Sequence, residues 1–133
     1  MALDKKTARL LDANLNRARE GLRVVEDAAR FLWNDAAQYR RLRALRHKLH
    51  EATAEHYANF IRARESVKDV GREIKEGPRA SLSSVISANM RRAQEAARVL
   101  EEYSKVFAVQ AAGKFKEIRY QLYQEEKRIL KKL

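Results

Sequence analysis

The chain has 133 residues, with 29 Lys and Arg against 18 Asp and Glu, for a formal charge of +11. That length makes one domain able to bury a real core, and the lack of cysteine excludes disulfides and thiolate metal sites. No run of about 18 apolar residues exists to span a membrane, and the N-terminal MALDKKTARLLDAN carries charges inside its apolar stretch, unlike a signal peptide, so a cytoplasmic location is expected.

One Pro and four Gly in a chain rich in Ala, Leu, Arg, Glu and Lys predict helices throughout. The first is expected from about Leu3 to Trp33. Leu11, Leu15, Ala18, Leu22, Val25, Ala29 and Leu32 are spaced alternately four and three apart, the seam of a helix packed along its length. Asn34-Asp35 breaks it, and Asp35 is placed to cap the next helix, about Ala36 to Ala58, with Leu42, Leu45, Leu49 and Ala52 inward. Phe31 and Trp33 are expected to pack the hairpin end. Residues 60–80 read as an irregular connector, a length that is usually functional in a compact domain. Pro78 and Ser81 mark the start of a third helix, about Leu82 to Val109, with Ile86, Met90, Ala93, Ala97, Leu100, Ser104 and Phe107 repeating the seam. Gly113 is expected to separate it from a fourth helix, about Lys114 to Lys132, with Phe115, Ile118, Leu122 and Ile129 inward.

The first and third helices are copies. DANLNRAREGLRVVEDAARF (Asp12 to Phe31) aligns with SANMRRAQEAARVLEEYSKV (Ser87 to Val106) at an offset of 75 residues, with eight identities. Five of those are polar: Asn14/Asn89, Arg17/Arg92, Glu20/Glu95, Arg23/Arg98 and Glu26/Glu101. Leu45 to Leu49 aligns with Ile118 to Leu122 at an offset of 73, pairing Arg46 with Arg119. The predicted fold is therefore all-α. Two tandem helical hairpins, about 10–57 and 85–130, form one pseudo-symmetric four-helix domain. Repeated apolar positions report only a repeated fold; repeated polar ones suggest side chains held for a purpose.

At 100° per residue, Asn14 and Arg17 fall inside the apolar sector beside Gly21 and Val24, with Glu26 at the seam margin and Glu20 and Arg23 in the polar wedge with Asp12. Asn89 and Arg92 repeat this beside Ala96. An Arg on an apolar face is costly unless paired. Two readings stand: Arg17 and Arg92 line an internal anion pocket, with small Gly21 and Ala96 leaving space above each guanidinium, or they form internal ion pairs with Glu20, Glu26 or another acid. His47 is expected at the surface, His50 nearer the core margin, and His56 packed on the apolar stripe. No Walker loop, GxGxxG, HExxH or zinc spacing is present, so any bound phosphate is held by Arg forks.

The two AN-x-x-R-x-x-E-x-x-R-V-x-E blocks, the RARESVKDVG stretch from Arg62 to Gly71, and IRYQLYQEEKRIL resemble the second, non-orthologous type of hydroxymethylpyrimidine phosphate kinase of thiamine biosynthesis. The resemblance runs from about Arg9 to Leu130; Ser66 stands where that family's pattern has Thr. It implies ATP- and Mg²⁺-dependent phosphorylation of 4-amino-5-hydroxymethyl-2-methylpyrimidine phosphate to the diphosphate. It also implies a functional link to thiamine-phosphate synthase, the domain occurring alone or fused ahead of that barrel; ending after the fourth helix, the chain would be the stand-alone form. The resemblance does not itself assign roles; matching the residues to the needs of that reaction makes Arg17, Arg92, Glu20 and Glu95 the catalytic candidates. Arg23, Arg98, Arg46, Arg119, Arg62 and Arg64 are phosphate clamps, Asn14 and Asn89 readers of the aminopyrimidine edge, and Glu26, Glu101 and Asp69 candidates for Mg²⁺.

Two other classes fit parts of the sequence. A helical nucleic-acid-binding protein would account for the +11 charge and predicts basic residues massed on an outer face, so with the repeated Arg placed inward no nucleic-acid partner is expected. An Arg-rich all-α mutase acting on a dicarboxylate would need neither ATP nor metal. A homodimer is compatible with such long amphipathic helices.

Overall fold

Asp4 opens the first helix by accepting the Thr7 backbone N–H at 2.9 Å, the side-chain cap that satisfies an otherwise orphaned donor. The computed structural model describes residues 3–133. Its elements are α1 (Lys5–Asp27), α2 (Ala36–Glu51), α3 (Tyr57–Ala63), α4 (Leu82–Phe107) and α5 (Val109–Ile129), and no strand occurs among the described residues. The all-α expectation holds, and the chain forms two hairpins, α1–α2 and α4–α5.

Leu11, Leu15, Ala18, Leu22, Val25 and Ala29 are all buried, as are Ile86, Met90, Ala93, Ala97, Leu100 and Ser104. Gly21 lies where α1 and α4 press together: a Cβ on it would stand 2.8 Å from the Asn89 carbonyl oxygen and 3.7 Å from the Arg92 Cβ. Further along, Val24 to Leu32 face Leu82 to Ile86 across a small groove, so the two helices run antiparallel. The space expected above each guanidinium at Gly21 is therefore filled by the α4 backbone. Beneath this pair, α2 and α3 pack on α1, α5 packs on α4, and α2 meets α5 to close the bundle.

Three boundaries differ from expectation. The first helix ends in a π-helical turn, Ala28–Leu32, which shifts the register and leaves Phe31 63% and Leu32 52% exposed instead of packing the hairpin end. The second helix stops at Glu51. Thr53 turns the chain through one 3₁₀ turn, Ala54–His56, into α3, which buries Phe60 against α1. Gly113 sits inside α5 with open space around it, because Ala108 alone makes the link between α4 and α5.

Candidate functional site

Two buried ion pairs occupy matching places in the hairpins. Glu26, 1% exposed, accepts from Arg46 Nε at 2.5 Å and Nη2 at 3.1 Å. Glu101, 4% exposed, accepts from Arg119 Nε at 3.0 Å, and Arg119 also donates to the Tyr123 hydroxyl at 3.1 Å. Each guanidinium is held above its usual pKa: Arg46 by its bond to Glu26, Arg119 by Tyr123 first and Glu101 second. A carboxylate this deep is tolerated because a guanidinium satisfies it. The expectation that Arg46 and Arg119 clamp phosphates, and that Glu26 and Glu101 take Mg²⁺, gives way here to two pairs that tie each hairpin shut.

That pairing sets where the other repeated residues point. Arg17 and Arg92 each lie nine residues before Glu26 and Glu101, which is about half a revolution at roughly 100° per residue. With the glutamates aimed at α2 and α5, both arginines point outward and are exposed. The internal pocket expected for them is therefore corrected. They stand on the outer face of the α1–α4 pair, where the antiparallel register puts Arg17 level with Glu95 and Glu20 level with Arg92. The ion pairs of the central stretch use Arg23, Glu26, Asp27, Arg98, Glu101 and Glu102. Arg17, Glu20, Arg92 and Glu95 form none among the described residues. Among the described residues Arg17 makes one side-chain hydrogen bond, donating to Asn14 Oδ1 at 3.5 Å. Asn14 and Asn89 repeat a further detail: each amide donates to the carbonyl four residues back, Leu10 at 3.0 Å and Val85 at 2.8 Å.

Beside Arg17 lies a polar cavity of about 420 Å³ between the first half of α1 and the start of the connector. Lys6, Arg9, Asp12, Asn14, Asn16 and Arg17 line it from the helix, and Arg64, Glu65, Ser66 and Asp69 from the connector. Asp12 and Arg64 hold the two walls together through a bidentate pair, 2.7 and 2.8 Å, across 52 residues of chain. This pair raises the Arg64 pKa above its usual value. Glu65 accepts the backbone N–H groups of Val67 and Lys68 at 2.9 Å each, which lowers its own pKa and shapes the turn. Arg9 donates to the Glu65 carbonyl at 3.2 Å and approaches Asp69 at 3.9 Å. The cavity thus carries three exposed cations with weak or no partners, Lys6, Arg9 and Arg17, an arrangement suited to an anion.

Of the sequence-derived candidates, Asn14, Arg17, Arg64 and Asp69 come together here. Glu20 and Arg92 lie next to it across the outer face. Glu95 borders a second cleft with Arg79, Ser84 and Arg91. Arg23 and Arg98 are solvent-exposed and pair with acids one turn along. Arg62 is exposed and donates to Asn59 at 2.8 Å, away from the cavity. Sequence reasoning missed Asp12, Lys6, Arg9 and Glu65 as a group. Asp12 faces Ser87 in the copy, so a search for repeated polar residues passes over it, and its partner is too distant in sequence for any periodic signal.

Residues 9–128 match the ThiD2 family, and the chain belongs to it. It is similar to the thiamine-phosphate synthases of Nostoc punctiforme (42% identity, 92% of this chain, 35% of that protein), Rhodopirellula baltica (43%, 92% and 34%) and a Synechococcus strain (43%, 94% and 36%). The chain spans about a third of the length of these relatives. No solved structure matches it. The chain is thus a thiamine-biosynthesis-related domain.

Proposed function

We propose that this ThiD2-family domain transfers the γ-phosphoryl group of ATP to 4-amino-5-hydroxymethyl-2-methylpyrimidine phosphate, yielding the diphosphate and ADP. The observation that carries the reading is the cavity at Arg17. It presents Lys6, Arg9 and Arg17 to solvent with little or no internal compensation, while the remaining repeated Arg of the interior are consumed by Glu26 and Glu101.

An oxygen of the acceptor phosphate attacks the γ-phosphorus, the bond to the β-bridging oxygen breaks, and ADP leaves. The acceptor is already anionic, so no base has to remove a proton. The protein's task is to hold two mutually repelling anions in line and spread the charge of the transferring group. Arg17 is the fork for this, preorganised by Asn14. Lys6 and Arg9 hold the acceptor phosphate against the first turns of α1. The Asp12–Arg64 pair keeps the connector wall in place.

Mg²⁺ would screen the phosphate charges that these residues bring together. The donor set fits a metal carried in largely by the nucleotide. Asp69 offers a half-exposed carboxylate whose sole ion pair is the 3.9 Å approach of Arg9, whereas Asp12 is engaged by Arg64 and no group of three metal-binding side chains occurs among the described residues. Nucleic-acid binding draws no support from the outer face, where Arg17 and Arg92 alternate with Glu20 and Glu95 instead of massing positive charge.

The test is ADP release coupled to a reporter, with ³¹P NMR of the product, for the phosphorylated pyrimidine beside the unphosphorylated alcohol. Turnover of the phosphate with little of the alcohol is expected. Equal turnover of the alcohol contradicts the phosphate clamp, and turnover of neither removes the kinase reading.

A further inference from the structure

We propose that the outer face of α1 and α4 is a two-fold interface with a second copy of this chain, seated on the Arg17, Glu20, Arg92 and Glu95 quartet. The inference is independent of the kinase reading.

The first observation is an unpartnered stripe. On α1, Arg17, Glu20 and Val24 recur at helical spacing on the side opposite the buried Glu26 and are exposed, and Phe31, 63% exposed in the π-helical turn beyond, shares a groove with Val24 against the start of α4. On α4, Arg92, Glu95 and Val106 recur at the same spacing and are exposed, Val106 to 59%, with Val99 half-buried between them. A solvated helix face has no reason to keep apolar residues at this period in both copies.

The second is charge complementarity. Arg17 is level with Glu95 and Glu20 with Arg92, so the four charges mark a rectangle with like signs on its diagonals. A second copy turned by a two-fold axis lying in this face, along or across the helices, places each Arg over a Glu and each Glu over an Arg. The charges unsatisfied within one chain are satisfied four at a time between two. A partner of uniform charge would meet repulsion at two corners.

The third is size. The 23 residues of α1 extend about 35 Å, and two adjacent helices present about 20 Å of width. That is roughly 700 Å², close to the ~800 Å² per partner of a standard interface. Arg17 stands at the corner shared by this face and the polar cavity. The second copy therefore borders the cavity mouth.

Sedimentation velocity with light scattering tests this on the full chain, with far-UV circular dichroism as the folding control. The wild-type chain is expected to be a dimer. Glu20→Arg with Glu95→Arg makes the quartet all positive and gives a monomer; Arg17→Glu with Arg92→Glu makes it all negative and does the same. Mixed in equal amounts, the two variants restore the dimer. Phe31→Asp, which leaves the quartet intact, shifts the dimer toward monomer. A wild-type monomer, a dimer that survives both charge variants, or a mixture that stays monomeric each overturns the proposal.

Discussion

The two hairpins share an interior and differ at the edge. Both close on a buried Glu–Arg pair, Glu26–Arg46 and Glu101–Arg119, both bond an Asn amide to the preceding turn, and both carry an unpaired Arg and Glu outward. The first hairpin alone adds α3 and the connector, latched by Asp12 to Arg64; the second has Ser87 at the Asp12 position. In the first hairpin α1 ends in a π-helical turn, whereas in the second α4 runs regularly to Phe107. Repetition in this chain therefore contains two kinds of polar residue. The inward ones close the hairpin on a buried ion pair, and the outward ones stay exposed and are the residues to which we assign function. The cavity arises from what is not repeated.

The interior half of this contrast breaks most visibly at the two buried ion pairs. Arg119→Met leaves Glu101 charged in the core with only the 4.0 Å approach of the exposed Arg98 and is expected to cost about 3 kcal/mol by urea denaturation, with Glu101→Leu in the same chain restoring most of it. Arg46→Met should cost at least as much, because the Glu26 side chain it strands is 1% exposed against 6% for Glu101 and has no second cation among the described residues, whereas Glu101 keeps Arg98 at 4.0 Å. Equal, negligible costs would show that neither pair holds its hairpin.

Gly21 and Gly113 separate the two helix pairs next. A Cβ at Gly21 meets the Asn89 carbonyl at 2.8 Å, so Gly21→Ala is expected to destabilise by about 1–3 kcal/mol through overpacking. A Cβ at Gly113 meets nothing, so Gly113→Ala should stabilise by about 0.5–1 kcal/mol through the helix interior. Thermal unfolding of the two variants reads both signs.

Transplanting the second hairpin's residue, Asp12→Ser, removes the connector latch. The pair is half exposed on the Arg64 side, so stability should fall by at most about 1 kcal/mol. Limited proteolysis between Glu65 and Arg79 should accelerate severalfold, and an unchanged cleavage rate would show that the connector is held by other contacts.

The smallest effect concerns the second helix of each hairpin. Asp35 caps α2 through the Gln38 N–H and bonds Lys132 at 2.6 Å, which holds its carboxyl below the usual range, the backbone bond contributing most; α5 starts at Ala108 with no side-chain cap. A lowered pKa means stability that is fully present above the ordinary carboxylate value and is lost as pH falls through the folded-state value. Asp35→Asn should therefore lower the melting temperature at neutral pH and make no difference in strong acid. A deficit that persists in acid would point to a lost shape rather than a lost charge.

Most of the fold is written in apolar periodicity, which is why the four long helices and their seams were expected where they occur. Glu26 and Arg17 show where periodicity stops: it puts Arg17 inside the apolar sector and Glu26 at the seam margin, whereas the Arg46 partner on α2 draws Glu26 inward and Arg17, half a revolution away, faces solvent. The α3 segment carries no Gly or Pro to mark its break from α2; the turn at Thr53 accompanies burial of Thr53 and Phe60, which apolar periodicity along one helix does not report. The π-helical turn inserts no recognisable residue either. Within the site, Arg17 and Asn14 were visible as repeated polar residues, whereas Asp12, Lys6 and Arg9 join them through contacts made across the fold.

Arg17→Lys beside Arg119→Lys measures the division between working and structural arginines most directly, by kcat/KM for the phosphorylated pyrimidine and by melting temperature of the same samples. Lys keeps the charge and loses the planar fork. Arg17→Lys is expected to lose activity on the order of a hundredfold, as when a preorganised donor is removed, with its melting temperature unchanged, while Arg119→Lys melts lower and keeps most of its activity per folded molecule. A stable and nearly fully active Arg17→Lys would contradict the assignment and leave the outward Arg as a feature of the fold.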